Sequence, residues 1–467
     1  MKHDNADRVA LILEKTGKVV EDEFGMTLYA RTFIHSPQEM EWIGEALRRT
    51  EPRPGLKVMP KDVPQDWEPY YPHDPLIGNT CGHPLLIEID LAGEYWGLSK
   101  FPFDLTDYLQ YRMRYARDKG AEGFVARIER GSNSVAGSSN ELNLYAYHAL
   151  LAGPDRDAGG IRLEWIEKRY GLKRDSEDAK KLLRVYRTSF DAVRKMYYVL
   201  GFWALEKGSD LTGAASGPQL LSGRSIALWD KTFKPREEAL AAPDEKTFIQ
   251  ILNEKSEAVM LADSMLEELK QIKGLAESDR LMLETDLSRL QRAARVWRFA
   301  NGALWGAQLY KQTRRPEHRE WALDFAASLA EYGKALPADQ WPGGPARIEK
   351  FLASFTDALP GSPQTAAPDY PDTQAPVKIT GIETTSSEIR VSFETLAPLA
   401  CRLNGGSHMM KIEPWSEWET KENTTHVLSQ IKLLPAERYF VTLSCKKLSG
   451  NETALYETSD YWAATKP

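Results

Sequence analysis

Two acidic side chains follow short β-rich runs in the first quarter of the chain. Asp66 ends the run Lys61-Asp62-Val63-Pro64-Gln65-Asp66, and Glu94 lies in Glu88-Ile89-Asp90-Leu91-Ala92-Gly93-Glu94-Tyr95-Trp96-Gly97. Glycoside hydrolysis needs two carboxyl functions beside the scissile bond, one to protonate the leaving oxygen and one to activate water or attack directly. Asp66 and Glu94, on adjacent strand ends, could share the second task by holding one water between them. From these residues alone, solvated loop acids remain an alternative.

The elements that must position these acids alternate between strands and helices over residues 1 to about 130. Ser36 and Pro37 supply an N-cap and an N1 proline for the second helix. Such alternation predicts parallel β/α units, whose active sites lie at the carboxyl ends of the strands. The predicted strands are Met26–Phe33, Lys57–Pro60, Leu85–Leu91 and Gly123–Ile128, and the predicted helices are Ala6–Glu23, Pro37–Arg49 and Leu105–Lys119. A closed barrel needs eight strands, so we predict a partial (β/α) barrel of about four units over residues 1–135.

Residues 136–358 are predicted to form a helical domain. Long helices are expected after Ser176, at Lys246–Ile272 and at Ser278–Lys311. Trp297 and Trp305 in the last of these could line a sugar site, but their helical spacing favours the core. Apolar residues at i, i+3 and i+4 spacing mark the buried face of the first helix: Leu182, Val185, Tyr186, Phe190, Val193, Tyr197 and Leu200.

The remaining residues predict a linker and a small β domain. Residues 359–376 are rich in Pro, Ser, Thr and Ala, as linkers are. Short β-rich runs over residues 377–467 predict a small β-sandwich. The run Leu434-Pro435-Ala436-Glu437-Arg438-Tyr439-Phe440-Val441 resembles the tyrosine-corner segment of fibronectin type III domains. The fold class is therefore α/β, then α, then β.

Composition limits the class of function. The chain has 467 residues, 42% hydrophobic and 27% charged, with a net charge of −7, so it lacks the basic excess that nucleic-acid binding requires. No run of about 18 apolar residues predicts membrane insertion, and we expect no cofactor. No apolar leader follows Met1, and the location stays open: periplasmic or extracellular if an N-terminal segment is missing, and otherwise cytoplasmic.

The three cysteines show no metal-binding spacing, so no metal site is predicted. Cys81, Cys401 and Cys445 are expected to be free thiols. A bridge between Cys401 and Cys445 is the alternative.

A set of anchors around the two acids resembles a known family. The anchors are a lysine with an aspartate five positions on, a Pro-x-x-Pro-Leu-x-Gly run and a Glu-Tyr-x-Gly motif. The block resembles the second half of the catalytic barrel of the family 67 glycoside hydrolases, the α-glucuronidases of xylan breakdown. Asn140–Ala146 and Glu164–Ile166 look like the helical domain of the same family, so the resemblance covers roughly residues 5 to 350. The matching residues are Lys61, Asp66, Pro72, Pro75, Leu76, Gly78, Glu94, Tyr95 and Gly97.

The resemblance implies an inverting mechanism in which Asp66 and Glu94 together act as the general base. It also implies that Arg31, at the end of the first strand, and Lys61 grip a uronic acid carboxylate. A guanidinium can bind a carboxylate through two hydrogen bonds, while lysine adds a point charge. A salt bridge to a neighbouring acid is the alternative for both residues. We also predict that Arg127, on the fourth strand, binds substrate.

Two departures from the family pattern leave the exact sugar open. Tyr70 and Tyr71 stand in place of a charged Arg-Glu pair, and Gly93 stands in place of a glutamine. Aromatic rings offer sugars an amphipathic stacking surface. Trp67, Tyr70, Tyr71 and Trp96 are therefore predicted to bind substrate by stacking, with ordinary packing as an equal alternative.

The family's first four strands, with its catalytic acid, would precede Met1, so no residue of this chain is assigned that role. A half barrel leaves unpaired strand edges, which invite pairing with another chain. The chain is therefore expected to be a fragment, a homo-oligomer, or a subunit whose barrel a partner chain completes. The predicted function is removal of terminal uronic acid from polysaccharide-derived oligosaccharides. The alternatives are a non-catalytic carbohydrate-binding or scaffold protein that lost the acid, and a related hydrolase for a different sugar.

Overall fold

The computed structural model describes residues 4–65, 68–94, 96–130, 133–203, 210–211, 225–359, 376–448 and 456–467. These residues form a parallel sheet flanked by helices, a helical region and an antiparallel β region, in that order along the chain. The predicted fold class is confirmed.

The first part is a four-stranded parallel sheet in the order β1-β2-β3-β4. Its strands are buried where they meet the helices, as at Ile87 and Ile89. The second helix begins where the sequence predicted, because the Ser36 side chain accepts a hydrogen bond from the Glu39 amide and Pro37 is the first helical residue. The elements are α1 (Asn5–Lys18), β1 (Leu28–Arg31), α2 (Pro37–Arg49), β2 (Leu56–Met59), β3 (Leu85–Asp90), α3 (Thr106–Asp118) and β4 (Ala121–Arg127), with a π-helical turn at Val19–Glu23 after α1.

Both outer strands of this sheet carry exposed apolar side chains. Within the described residues β1 pairs only with β2, and β4 pairs only with β3. Tyr29 on β1 is 53% exposed and Val125 on β4 is 42% exposed. The two edges therefore have the character predicted for a partial barrel.

The helical region packs around one core that continues into the sheet. Trp297 and Trp305 are fully buried in it, so they are core residues and not part of a sugar site. No helix in the described ranges has a stretch long and apolar enough to cross a membrane. The elements are β5 (Glu129–Arg130), β6 (Asn133–Ser134), α4 (Glu141–Ala152), α5 (Ala158–Tyr170), α6 (Glu177–Tyr197), β7 (Tyr198–Val199), β8 (Phe202–Trp203), α7 (Lys234–Ala241), α8 (Glu245–Lys270), α9 (Glu277–Thr313), α10 (Pro316–Lys334) and α11 (Pro345–Ala358), with 3₁₀ turns at Ile226–Leu228 and Lys231–Phe233.

The last region is antiparallel and is organised by one long strand, β10. The first part of β10 pairs with β9 and β12, and its last residues pair with β13. The Tyr439 hydroxyl accepts a hydrogen bond of 3.0 Å from the Leu434 amide, the contact that defines a tyrosine corner. The strands are β9 (Val377–Thr384), β10 (Glu388–Gly406), β11 (Glu413–Pro414), β12 (Asn423–Ile431), β13 (Arg438–Lys446), β14 (Tyr456–Glu457) and β15 (Tyr461–Ala464).

A disulfide joins Cys401 on β10 to Cys445 on β13, which are direct cross-strand neighbours. The expectation of free thiols was wrong for these two residues. Sequence spacing does not show that β10 and β13 pair, and that pairing is what brings the two sulfurs together. Cys81 is a free, exposed thiol.

The β region packs against the helices through buried charges and one large ring. Arg194 on α6 donates to the side chain and the carbonyl of Asp460, just before β15. Lys195 bonds to Glu257 on α8 at 2.9 Å and to the Asp460 carbonyl at 2.7 Å. The Trp462 ring lies edge-on to Phe190, 5.4 Å between centroids. These contacts hold the last strands on the helical core.

Candidate functional site

Arg31 lies at the carboxyl end of β1 and is paired with an acid on β3. Its Nε and Nη2 atoms donate to the two carboxylate oxygens of Glu88. The Arg31 side chain is 43% exposed, while that of Glu88 is 10% exposed. The alternative considered for Arg31, a salt bridge to a neighbouring acid, is therefore present. Part of the guanidinium still faces solvent.

Lys61 follows β2 and lies beside the same pair. Its backbone forms an isolated parallel β-bridge with that of Glu88. Its side-chain Nζ donates a 2.8 Å hydrogen bond to the carbonyl of Gln65. This Nζ lies 3.7 Å from the centroid of the Phe33 ring, and the Arg31 guanidinium carbon lies 5.5 Å from the same centroid. The two cations predicted to bind a carboxylate thus flank one aromatic ring, where the ring quadrupole favours positive charge.

Glu94 lies in the loop after β3, which the carboxylate of Asp90 holds in place. One Asp90 oxygen accepts from the Ala92 amide at 2.9 Å, and the other accepts from the Glu94 amide at 2.8 Å. Burial raises the pKa of Asp90 to about 6, although these hydrogen bonds and Arg127 oppose the shift. The loop conformation therefore depends on a buried carboxyl that sits beside the site.

Arg127, at the end of β4, contacts Glu94 directly. Its Nη2 donates a 2.7 Å hydrogen bond to Oε2 of Glu94. Arg127 is also the register partner of Asp90 across the β3–β4 pairing. The structure therefore brings together Glu94 and Arg127, which the sequence assigned to catalysis and to substrate binding.

Asp66 and Trp67 lie outside the described residues, so their predicted roles stay predictions. The residue before them, Gln65, is well anchored. Its backbone has a left-handed φ of 60°, and its side-chain amide donates to the carbonyl of His35 at 2.8 Å. The chain that leads into Asp66 is thus tied to the loop after β1, on the side of the sheet where Arg31 lies.

The other three aromatic residues predicted to stack on sugars are buried. Tyr70, Tyr71 and Trp96 are 4%, 1% and 2% exposed. The Tyr70 hydroxyl accepts from Arg194, the Tyr71 hydroxyl donates to Gln65 at 3.2 Å, and the Trp96 indole donates to the Tyr198 hydroxyl at 3.0 Å. All three pack in the core, which was the alternative to stacking.

Two more buried acids lie beneath the site. The Asp62 carboxylate accepts a 2.7 Å hydrogen bond from the Tyr108 hydroxyl and lies 3.8 Å from Nε of Arg112. Burial raises the pKa of Asp62, and it raises that of Asp74 to about 7. The backbone amide of Asp74 donates to the carbonyl of Asp62, so this pair fixes the loop after β2.

Reasoning from the sequence assigned no role to Glu88, Asp90 or Phe33. Glu88 and Asp90 lie two residues apart on β3, so their side chains share one face of the strand. That period of two was a usable signal for both acids. Nothing in the sequence singles out Phe33, because its contacts with Arg31 and Lys61 are visible only in the folded chain.

The chain matches no known protein-family model and no curated protein by sequence. Its fold matches a solved structure described as a GH138 enzyme targeting pectin rhamnogalacturonan II. That match has a TM-score of 0.51 at 12% identity and covers 98% of this chain and 65% of the other. The fold is shared with a glycoside hydrolase. This chain spans about 65% of that enzyme's length.

A second solved structure is described as a novel family GH115 4-O-methyl-α-glucuronidase with specificity for decorated arabinogalactans. It matches at 11% identity with a TM-score of 0.33, covering 90% of this chain and 56% of the other. That likeness is too weak to support an argument.

Proposed function

We propose that this chain carries the general base and the uronate-binding half of an inverting glycoside hydrolase. In the proposal, the enzyme removes a terminal uronic acid from oligosaccharides derived from a polysaccharide. The observation that supports it most is the placement of Arg31 and Lys61 around the Phe33 ring, at the same carboxyl-end edge of the parallel sheet as the Glu94–Arg127 pair. Cations that hold a carboxylate and a carboxylate that activates water are the two functions such a site needs.

In this proposal Arg31 and Lys61 hold the uronate carboxylate. The Arg31 guanidinium already donates to Glu88, and the Lys61 Nζ donates to the carbonyl of Gln65. The exposed part of the Arg31 guanidinium can donate to a substrate carboxylate while Glu88 keeps the guanidinium oriented. Lys61 then supplies a second positive charge from a nearly dry position, since it is 2% exposed. Charge interactions are stronger in such a position than in water.

Glu94, with Asp66 as its proposed partner, would take the proton of the attacking water. Arg127 holds one Glu94 oxygen, and the Asp90 turn fixes the backbone of Glu94, so the second oxygen is held in a defined place. No described residue is assigned as the acid that protonates the leaving oxygen. The family 67 resemblance supports this division of roles, because the family's acid lies on the other half of its barrel.

The second candidate function is non-catalytic binding of acidic carbohydrate. It is favoured because no described residue is assigned as the acid. The cationic residues around Phe33 would bind a uronate even without that acid. The two candidates differ in turnover, not in binding.

The experiment that separates them compares two substrates. The protein is incubated with aldouronic acids and with an aryl α-glucuronide, whose leaving group needs little protonation, and released uronate is followed by proton NMR. Hydrolysis of both substrates with the β-anomer appearing first supports the complete inverting enzyme. Hydrolysis of the aryl glycoside alone supports a site without its acid. Binding of both substrates without any release contradicts the hydrolase and supports the binding protein.

A further inference from the structure

A cavity lies between the helical region and the β region, and none of the described residues assigned above to catalysis or substrate binding lines it. It has a volume of about 460 Å³ and is bounded by α3, α5 and α6 on one side and by β9 and β15 on the other. Ligand sites usually have volumes of roughly 300–1,000 Å³ and often form where two domains meet. The cavity is therefore large enough for a small organic ligand.

Most charged side chains in the wall of this cavity already have partners. Arg162 donates to Asp104 at 2.5 Å and to Asp107 at 2.6 Å, so one cation is balanced by two acids. The other pairs are Asp191 with Arg194, Lys180 with Glu177, and Arg184 with Glu268. These groups fix the wall and contribute little free charge to the interior.

Arg187 on α6 is the exception among the cations of this wall. Within the described part of the chain its guanidinium forms no hydrogen bond and no ion pair within 4.0 Å. It lines this cavity and also a neighbouring one of about 390 Å³, so it stands where the two meet. Burial lowers its pKa, although Asp107 and Asp104 oppose that shift. A partly buried guanidinium is stabilised by an anion, and a carboxylate fits its planar fork best.

The rest of the lining suits a molecule with several hydroxyl groups. The hydroxyl-bearing residues Thr188, Thr380 and Ser392 line the cavity, and so does the aromatic residue Trp462. Hydroxyl side chains both donate and accept hydrogen bonds, and an aromatic ring offers an apolar face. A cation unpaired within the described residues, several hydroxyls and aromatic rings are groups that suit a sugar acid.

We propose that this cleft is a second binding site for a carboxylate-bearing sugar, with Arg187 recognising the carboxylate. The occupant is either a free uronic acid or the uronic acid residue of an oligosaccharide. The site takes no part in the proposed hydrolysis, and it would exist in a hydrolase or in a binding protein.

The chain offers one position where the cleft can be filled without touching Arg187. Gly381 on β9 lines the cavity, and a Cβ added there would meet no atom within 4 Å. It pairs with Ser392 beside a register shift in the β9–β10 ladder, and its φ is not in the left-handed region. Gly381→Phe should therefore occupy ligand volume without backbone strain.

The test is equilibrium dialysis of the full chain with radiolabelled D-glucuronate, compared with D-glucose. The variants are Arg187→Gln, Gly381→Phe and Arg31→Ala, with Arg390→Gln as a matched exposed control. We expect Arg187→Gln and Gly381→Phe each to remove one glucuronate per chain, with affinity at that site falling about tenfold or more. The control should bind as the unaltered chain does, and glucose should bind far more weakly.

Oligosaccharides ending in uronic acid then distinguish the two occupants, since a free sugar site excludes them and a glycan site binds them. The proposal is overturned if glucuronate binding is unchanged in both cleft variants while thermal unfolding shows them folded. It is also overturned if Arg31→Ala is the single variant that reduces glucuronate binding. Failure of the unaltered chain to bind glucuronate overturns it as well. If the unaltered chain binds glucuronate in the cleft but hydrolyses neither test substrate, the proposed function alone is contradicted.

Discussion

Arg31 donates hydrogen bonds of 2.5 and 3.2 Å to the two carboxylate oxygens of Glu88, a residue 57 positions further along the chain. The pair joins the first and third strands of the sheet across the segment after β2, where the backbone of Lys61 forms a parallel β-bridge with Glu88. Glu88 therefore orients Arg31 and partly balances its positive charge. In the proposed function, Arg31 and Lys61 are the cations that would bind the uronate carboxylate.

Replacing Arg31 with alanine should weaken binding of glucuronate-bearing substrates about tenfold, since a charge-assisted hydrogen bond to an exposed carboxylate would be lost. Binding of a neutral xylo-oligosaccharide should not change. Isothermal titration calorimetry with both oligosaccharides measures this, with Arg48→Ala, an exposed arginine on α2, as the control. Equal weakening for charged and neutral sugars would argue against a role in recognising the carboxylate.

The Asp90 carboxyl should make stability depend on pH. Its pKa in the folded protein is raised to about 6 by burial, so between about pH 4 and pH 6 the folded state binds more protons than the unfolded state. Its contribution to stability therefore falls as pH rises through this window. Relative to Asp90→Asn, the free energy of unfolding of the unaltered chain should fall by about 2 kcal/mol between pH 4 and pH 7. Urea titrations at both pH values measure it, and a difference that grows with pH would refute the assignment.

The Cys401–Cys445 bridge should stabilise the β region. It closes a loop with a sequence separation of 44 residues, for which chain entropy predicts about 2–4 kcal/mol. The double variant Cys401→Ala/Cys445→Ala should unfold at lower urea, and reductant should lower the stability of the unaltered chain but not of this variant. Cys81→Ser is the control, because that thiol is unbridged. Identical urea midpoints with and without reductant would show that the bridge contributes nothing.

The outer strands of the sheet should drive association. Exposed apolar residues on edge strands, here Tyr29 and Val125, favour pairing with further strands. Light scattering at micromolar concentration should therefore give a mass above that of one chain. The double variant Tyr29→Lys/Val125→Lys should be monomeric, whereas Leu281→Lys, an exposed leucine on α9, should not. A stable, fully active monomer of the unaltered chain would contradict this expectation.

The helices and strands were predicted well because the sequence signals that define them lie within a few residues of each element. The cap at Ser36, the proline at position 37 and the β-rich run before Asp90 each decide structure within a few residues. The helical spacing of Trp297 and Trp305 likewise indicated burial correctly. For the same reason, four parallel strands were predicted in their correct places.

The site was only partly predictable, because its contacts join distant segments. Nothing near Arg31 in the sequence indicates Glu88 as its partner, and nothing near Cys401 indicates Cys445. The Tyr70 ring packs against Tyr198 and Phe440, and its hydroxyl accepts from Arg194, all far along the chain. Such pairings depend on how domains pack, which spacing within one segment does not encode.

The most direct test of the proposed site is the effect of Glu94→Gln on hydrolysis of an aryl α-glucuronide. The substitution keeps the size of the side chain and one acceptor for Arg127 but removes the base. If Glu94 activates water, kcat should fall roughly 10²–10⁴-fold with KM little changed. Glu45→Gln, on the exposed face of α2, should leave kcat unchanged. A folded Glu94→Gln variant that hydrolyses the substrate at the rate of the unaltered chain would contradict the assignment of this residue as the base.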